Sequence, residues 1–103
     1  MYQEDWLLRH IRWLIEAIAK LARGEAVDPI ELDAAVRAAV GFDLHTLDTL
    51  PTEALLALFD PTDDRSAERL RVVAAVLSAT APPDATGDRR RAKADAILTH
   101  LDG

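Results

Sequence analysis

The sequence predicts an all-α fold, and three observations support this prediction. Apolar residues recur at intervals of three or four positions along most of the chain, which is the spacing of one helix face. Nineteen alanines against four glycines favour helix. No segment shows the strict alternation of apolar and polar residues that is typical of a half-buried strand. We therefore expect about five helices, joined by short loops, in a single domain over residues 1–103.

The N-terminal part of the chain carries the clearest helix boundaries. The first helix is predicted over residues 4–23, because a glycine follows it directly. At the start of the second helix, Asp28 can act as the N-cap and Pro29 suits the first helical position. Glu31 would complete a capping box with Asp28. The second helix is expected to end at Gly41.

Prolines divide the rest of the chain. Pro51 interrupts the segment after the second helix, Pro61 ends it, and prolines 82–83 stop the helix that follows. The elements predicted from these boundaries are a short helical turn over residues 43–47 and helices over 51–59, 65–80 and from about 84–88 to 102. Because helices follow one another with short connections, we expect antiparallel hairpins stacked side by side, as in a degenerate tetratricopeptide-like bundle.

The charge distribution and the length of the apolar runs argue against two kinds of partner. The net charge is −6, and residues 24–64 alone carry ten acidic and one basic side chain. An acidic centre repels phosphate backbones, so we expect no nucleic-acid partner. We also expect no membrane partner, because no uncharged apolar run reaches the roughly 18 residues needed to span a bilayer. The acidic start of the sequence does not resemble a secretion signal, and the expected localisation is cytoplasmic.

The reactive side chains predict no enzyme. His10, His45 and His100 lie in three different predicted elements, and a metal site would require several ligands to converge. Ser66 and Ser78 are not in a glycine-flanked elbow, and the chain has no cysteine nucleophile. No glycine-rich phosphate loop is present. We therefore expect no catalytic residue, no cofactor and no metal.

Two charged clusters have structural interpretations. The basic run at residues 89–93, RRRAK, would point around most of a helix and so would not form one stripe for RNA. We expect it to neutralise acidic residues of the segment 24–64 or to remain solvated. The acidic residues of the segment 60–64, DPTDD, are expected to cap a helix, since the segment lacks the glycine and the alternating ligands of a calcium loop.

The first helix is apolar on more sides than one buried face requires. Its core-facing stripe is predicted to contain Leu14 and the apolar residues above and below it, with Ile15 at the edge of the stripe. Between this stripe and the charged side lies a second, aromatic flank. This flank, with the basic residues beside it, forms the candidate interface: Tyr2, Trp6, Arg9, His10, Trp13, Ala17 and Lys20.

Three interpretations of the aromatic flank remain open. The flank could pack beneath the C-terminal helices of the same chain. It could instead bind another protein, most simply a second copy in a homodimer, because tryptophan is enriched at interface centres. Finally, the aromatic side chains could line a small-ligand pocket between helices, with His10 as a nearby polar group. A membrane-surface role is disfavoured, because the polar side of the helix mixes acidic and basic residues.

The first 24 residues resemble a known family. The stretch QEDWLLRHI at residues 3–11, followed by AIAKL at 17–21 and by Gly24, is similar to the opening of a family of small uncharacterised helical proteins from bacteria. The resemblance implies an all-helical, tetratricopeptide-like fold, and it implies no activity and no catalytic residue. The expected function is therefore a non-catalytic interaction module that forms a homodimer through its first helix.

Overall fold

The all-α prediction is confirmed. A computed structural model describes the backbone of residues 2–59 and 64–102 and the side chains of residues 9–59 and 66–102. Within these ranges the regular structure is helical throughout. The six helices are α1 (Tyr2–Ala22), α2 (Pro29–Val40), α3 (Leu44–Thr49), α4 (Thr52–Leu58), α5 (Asp64–Ala79) and α6 (Ala85–Asp102). The expected acidic cap at residues 60–63 lies outside the described residues.

The boundaries of α2 follow from its terminal residues. The Asp28 carboxylate accepts a hydrogen bond from the backbone N–H of Ile30 at 2.9 Å, and Pro29 opens the helix as predicted. This capping bond goes to Ile30 and not to Glu31, the residue that the capping-box interpretation pairs with Asp28. Gly41 has a positive φ of 96° and donates its N–H to the Arg37 carbonyl, which ends the helix.

Two hairpins enclose a common core. Helices α1 and α2 pack together as the first hairpin, and α5 and α6 pack together as the second. Helix α5 also contacts α1 and α2, so it is the helix of the second hairpin that faces the first hairpin, and its inner residues are almost fully buried. The short helices α3 and α4 connect the hairpins, and α4 packs on α6. The largest fully buried side chains are Leu14, Leu47, Leu55, Leu70, Leu77, Ile97, Val36, Val73 and Val76. The tetratricopeptide-like geometry of these hairpins stays a prediction.

The N-terminus of α3 is held by two carboxylates. Asp43 accepts a hydrogen bond from the Thr46 N–H at 3.0 Å, and Asp33 of α2 accepts one from the Leu44 N–H at 2.9 Å. Arg37 lies 3.7 Å from Asp33 and 3.6 Å from Asp43. Since the first N–H groups of a helix lack partners within it, these bonds fix a helix that is too short to be stable alone.

The C-terminus of α3 is held by the basic run of α6. Lys93 donates from Nζ to the Leu47 carbonyl at 2.7 Å and to the Asp48 carbonyl at 2.9 Å. Partial burial lowers the pKa of Lys93, and the negative charge of Asp48 opposes this effect. An ammonium group at the end of a helix also complements its negative dipole. Helix α3 is therefore tied to α2 at one end and to α6 at the other.

Arg90 joins three helices at one point, which we call the Arg90 junction. It forms a bidentate ion pair with Asp48 of α3, with Nε–Oδ1 and Nη2–Oδ2 distances of 3.0 and 3.2 Å. Its Nη1 donates to the carbonyl and hydroxyl oxygens of Thr80, at the end of α5. The Arg90 and Asp48 side chains are 18% and 25% exposed. For Arg90, the expected neutralisation of the acidic segment is confirmed.

Acid should weaken the cap of α3. Hydrogen bonds from the Thr46 side chain and backbone lower the pKa of Asp43 below 3.8, and the nearby Arg37 acts in the same direction. The folded state therefore binds the Asp43 proton less tightly than the unfolded state. This contribution to stability is present above pH 3.8 and is lost as the pH falls through the folded pKa.

The Asp43→Asn variant tests this expectation, since asparagine can also cap a helix but does not titrate. We expect the Tm of the wild type to fall more than that of the variant between about pH 6 and about pH 2, because only the wild type loses a charged cap. Thermal unfolding followed by circular dichroism measures both curves. Parallel curves would contradict the assignment.

No helix in the described part of the chain combines the length and the apolar character needed to cross a membrane.

Candidate interaction surface on the first hairpin

The structure separates the residues of the predicted aromatic flank. Arg9 and Lys20 are exposed on α1, whereas His10 and Trp13 are half-buried. Ala17 is 3% exposed and belongs to the hydrophobic core. The side chains of Tyr2 and Trp6 lie outside the described residues, although both positions are in α1.

Ala17 therefore lies beneath the surface of the flank, and its place in the interface stays a prediction. Ala17 follows Trp13 by one turn, and a separation of four residues rotates it by about 40° toward the buried side of the helix. There it packs among the core residues beneath the first hairpin. The small side chain of Ala17 also lines part of the groove described below, so it belongs to the floor of that groove.

Trp13 lies where α1 and α2 leave an open groove. One stretch of the groove, of about 440 Å³, is lined by Arg9, His10 and Trp13 of α1 and by Glu31, Ala34 and Ala35 of α2. A second stretch, of about 200 Å³, is lined by Trp13, Glu16, Ala17 and Lys20 together with Ala26, Val27, Asp28 and Glu31. Trp13 and Glu31 line both stretches, so Trp13 is at the centre of the groove.

Trp13 lies between the hydrophobic core and the open groove. One side of the ring packs against the core, and the residues around it in the groove belong to α1, to α2 and to the loop between them. The described walls of the groove beside Trp13 therefore come from the first hairpin. Because the groove is open to solvent, the tryptophan is only half-buried, and part of the ring remains accessible.

Charged residues surround the accessible part of Trp13. Arg9, Glu16 and Lys20 are exposed on α1, and Glu31 is exposed on α2. Within the described side chains, none of these four takes part in an ion pair, since the pairs that form involve other residues. An accessible aromatic ring with a charged rim is the usual composition of a protein–protein contact.

The other flank of α1 carries a surface that the sequence pattern does not predict. Ile15 is 58% exposed, although its spacing places it at the edge of the core-facing stripe. Near it, α1, α5 and α6 form an open groove of about 510 Å³ that is rich in alanine. Its lining residues are Ile18, Ala22, Arg71, Ala74, Ala75, Ser78, Ala79, Ala94, Asp95 and Leu98. The alanines of α5 and α6 indicate close helix packing. Their spacing in the sequence does not show that one side of these helices is left uncovered.

The three histidines lie on three different helices. His10 lies in the groove of the first hairpin, and His45 and His100 are exposed on α3 and α6. The described residues thus define an all-helical protein with a tryptophan-centred groove on its first hairpin. Comparison of the chain with known protein families, with curated proteins and with solved structures found no match. The resemblance of the first 24 residues to a bacterial helical family stays a prediction.

Proposed function

We propose that the protein is a non-catalytic interaction module that forms a homodimer through the first hairpin. The observation that carries this proposal is the half-buried Trp13 at the centre of an open groove, surrounded by charged residues that form no ion pair among the described side chains. A tryptophan can contribute a large apolar area and an N–H donor to an interface. The groove is open to solvent, which favours a macromolecular partner over an enclosed small molecule.

Truncation of Trp13 should therefore weaken self-association. We expect the wild type to elute with twice the monomer mass of 11.3 kDa, and Trp13→Ala to raise the dimer Kd by about 30-fold or more, as for a residue at an interface centre. Light scattering after size exclusion, over a range of concentrations, measures both. The double variant Trp6→Ala, Trp13→Ala extends the test to the second tryptophan of the helix.

Ile15→Ala is the matched control, because Ile15 is an exposed apolar residue on the opposite flank of the same helix. It should leave the Kd unchanged. Circular dichroism separates dissociation from unfolding, since Trp13 also packs against the core. A wild type that is monomeric at every usable concentration would refute the proposal, and so would a Trp13→Ala dimer of unchanged affinity.

A second candidate function is the binding of a small ligand in the same groove. The observation in its favour is that Arg9 and His10 lie beside Trp13 in a space of about 440 Å³, which falls within the usual range for ligand sites. This function requires a monomer that a small molecule stabilises in a thermal-shift screen, with the stabilisation lost in Trp13→Ala. A dimeric wild type that no compound stabilises favours the interaction module.

A further inference from the structure

On the exposed face of α1, charged residues lie before and after Trp13 along the helix. Arg9 lies one turn before Trp13, Glu16 lies one turn after it, and Lys20 lies a further turn along. Residues separated by three or four positions fall on one side of a helix, so these four residues form a single stripe. We call it the α1 stripe. Its three charged members are exposed, and Trp13 is half-buried between them.

In the α1 stripe, the basic Arg9 and the acidic Glu16 lie at equal distances from one point on the helix. In a two-fold antiparallel helix pair, residues face each other when their numbers add up to a constant. The residue numbers of Arg9 and Glu16 add up to 25, and so do those of Lys20 and Asp5. If two α1 helices pair antiparallel about the point between residues 12 and 13, Arg9 therefore faces Glu16 and Lys20 faces Asp5. Each of these pairs joins opposite charges.

A parallel pair of the same helices would have the opposite electrostatic effect. Each residue would then face its own copy, so that arginine would face arginine and glutamate would face glutamate. Like charges in contact destabilise an interface and select against that arrangement. The charge pattern thus distinguishes the two orientations, whereas the apolar ring of Trp13 would be compatible with either.

We propose that the second copy docks with its α1 antiparallel across the α1 stripe, an inference that rests on the proposed homodimer. Two Trp13 rings lie near the two-fold axis. On either side of them, Arg9 of one copy pairs with Glu16 of the partner subunit, so that the pair occurs twice. The side chains of Arg9 and Glu16 are free to form these pairs, because neither has an ion-pair partner among the described side chains of its own chain.

Charge reversal tests this arrangement. Arg9→Glu and Glu16→Arg should each raise the dimer Kd by about 10-fold or more, because each places two pairs of like charges at the interface. The double variant Arg9→Glu, Glu16→Arg should restore the Kd to within about threefold of the wild type, since it exchanges the charges and keeps the pairing. Sedimentation analysis at one fixed ionic strength measures all four dissociation constants.

Charge reversals elsewhere serve as controls for the change in net charge. Arg89→Glu on α6 and Glu53→Arg on α4 are exposed and lie outside the α1 stripe, so both should leave the Kd unchanged. If the single reversals in the stripe behave like these controls while the wild type is dimeric, the antiparallel arrangement is wrong and the proposed dimer stands. If the wild type is monomeric, both proposals fail.

Cysteine crosslinking tests the register directly, because the natural chain contains no cysteine. A mixture of Arg9→Cys and Glu16→Cys proteins should form an oxidised mixed dimer, whereas neither protein should crosslink to itself. Seven residues of helix separate the two positions by about 10 Å, beyond the Cα separation of about 7 Å that a disulfide tolerates. Self-crosslinking of each variant without a mixed dimer would indicate a parallel pair and overturn the inference.

Discussion

Gly87→Ala is expected to lower the free energy of unfolding by about 3 kcal/mol, which corresponds to a fall in Tm of roughly 15 °C for a domain of this size. Gly87 is buried in the first turn of α6, where the chain returns from the two prolines before it. A Cβ added to Gly87 would lie 1.5 Å from the carbonyl oxygen of Pro82. The obstacle is backbone, so the turn and the helix must separate.

The prediction for Gly87 is opposite in sign to helix propensity. In an unobstructed helix, alanine is about 1 kcal/mol more favourable than glycine. Ala92→Gly, at an exposed position of the same helix, is the reverse substitution and should cost about 1 kcal/mol. Urea unfolding followed by circular dichroism compares the two. A Gly87→Ala protein as stable as the wild type would show that the turn at Pro82 is free to move.

The second large effect is expected at the Arg90 junction. Arg90→Met keeps much of the side-chain volume but removes the charge, so that Asp48 loses its bidentate partner and the Thr80 carbonyl loses a donor. Removing one partner of a buried ion pair costs about 3–5 kcal/mol. Because Arg90 and Asp48 keep some contact with water, we expect a smaller loss of about 2 kcal/mol in the free energy of unfolding.

The neighbouring residue supplies a matched control. Arg91 pairs with Asp88 at 2.7 Å, but both side chains are largely exposed and lie within one turn of the same helix. Arg91→Met should therefore cost less than about 0.5 kcal/mol. Adding Asp48→Leu to Arg90→Met should recover part of the loss, because it removes the unpaired carboxylate. Equal losses for Arg90→Met and Arg91→Met in urea unfolding would contradict the structural role of the junction.

The helix boundaries could be predicted because they depend on local chemistry. Asp28 and Pro29 start α2, Gly41 ends it and prolines 82–83 separate α5 from α6, and each of these effects operates within a few residues. The fold class follows from the same local signals combined with apolar spacing. This part of the structure needs no knowledge of which helices become neighbours.

The surface could be predicted only in part, because exposure depends on the neighbouring helices. Spacing groups Ile15 with the core and Ala17 with the aromatic flank, yet Ile15 is exposed and Ala17 is buried. The side of α1 that carries Ala17 is covered by its neighbours, while the side that carries Ile15 borders an open groove. A periodic pattern gives the angle of a residue around its helix but not the direction from which other helices approach.

The basic run at residues 89–93 shows that the partners of single residues also depend on the neighbouring helices. Arg90 and Arg91 are adjacent and chemically identical, and a rotation of about 100° separates them on the helix. Arg90 points to α3 and α5, while Arg91 pairs within its own turn. The sequence predicts that the run neutralises acidic residues, but the choice among its members depends on the position of α3 beside α6.

The Arg90 junction also has a consequence for the order of folding events. Its ion pair joins residues that are 42 positions apart, so the intervening chain must close as a loop before the pair can form. The hairpin of α5 and α6 is local and can form earlier. We therefore expect α3 to dock onto α6 late in folding. Loss of the Arg90–Asp48 pair alone, as in Asp48→Leu, would then accelerate unfolding and leave the refolding rate almost unchanged.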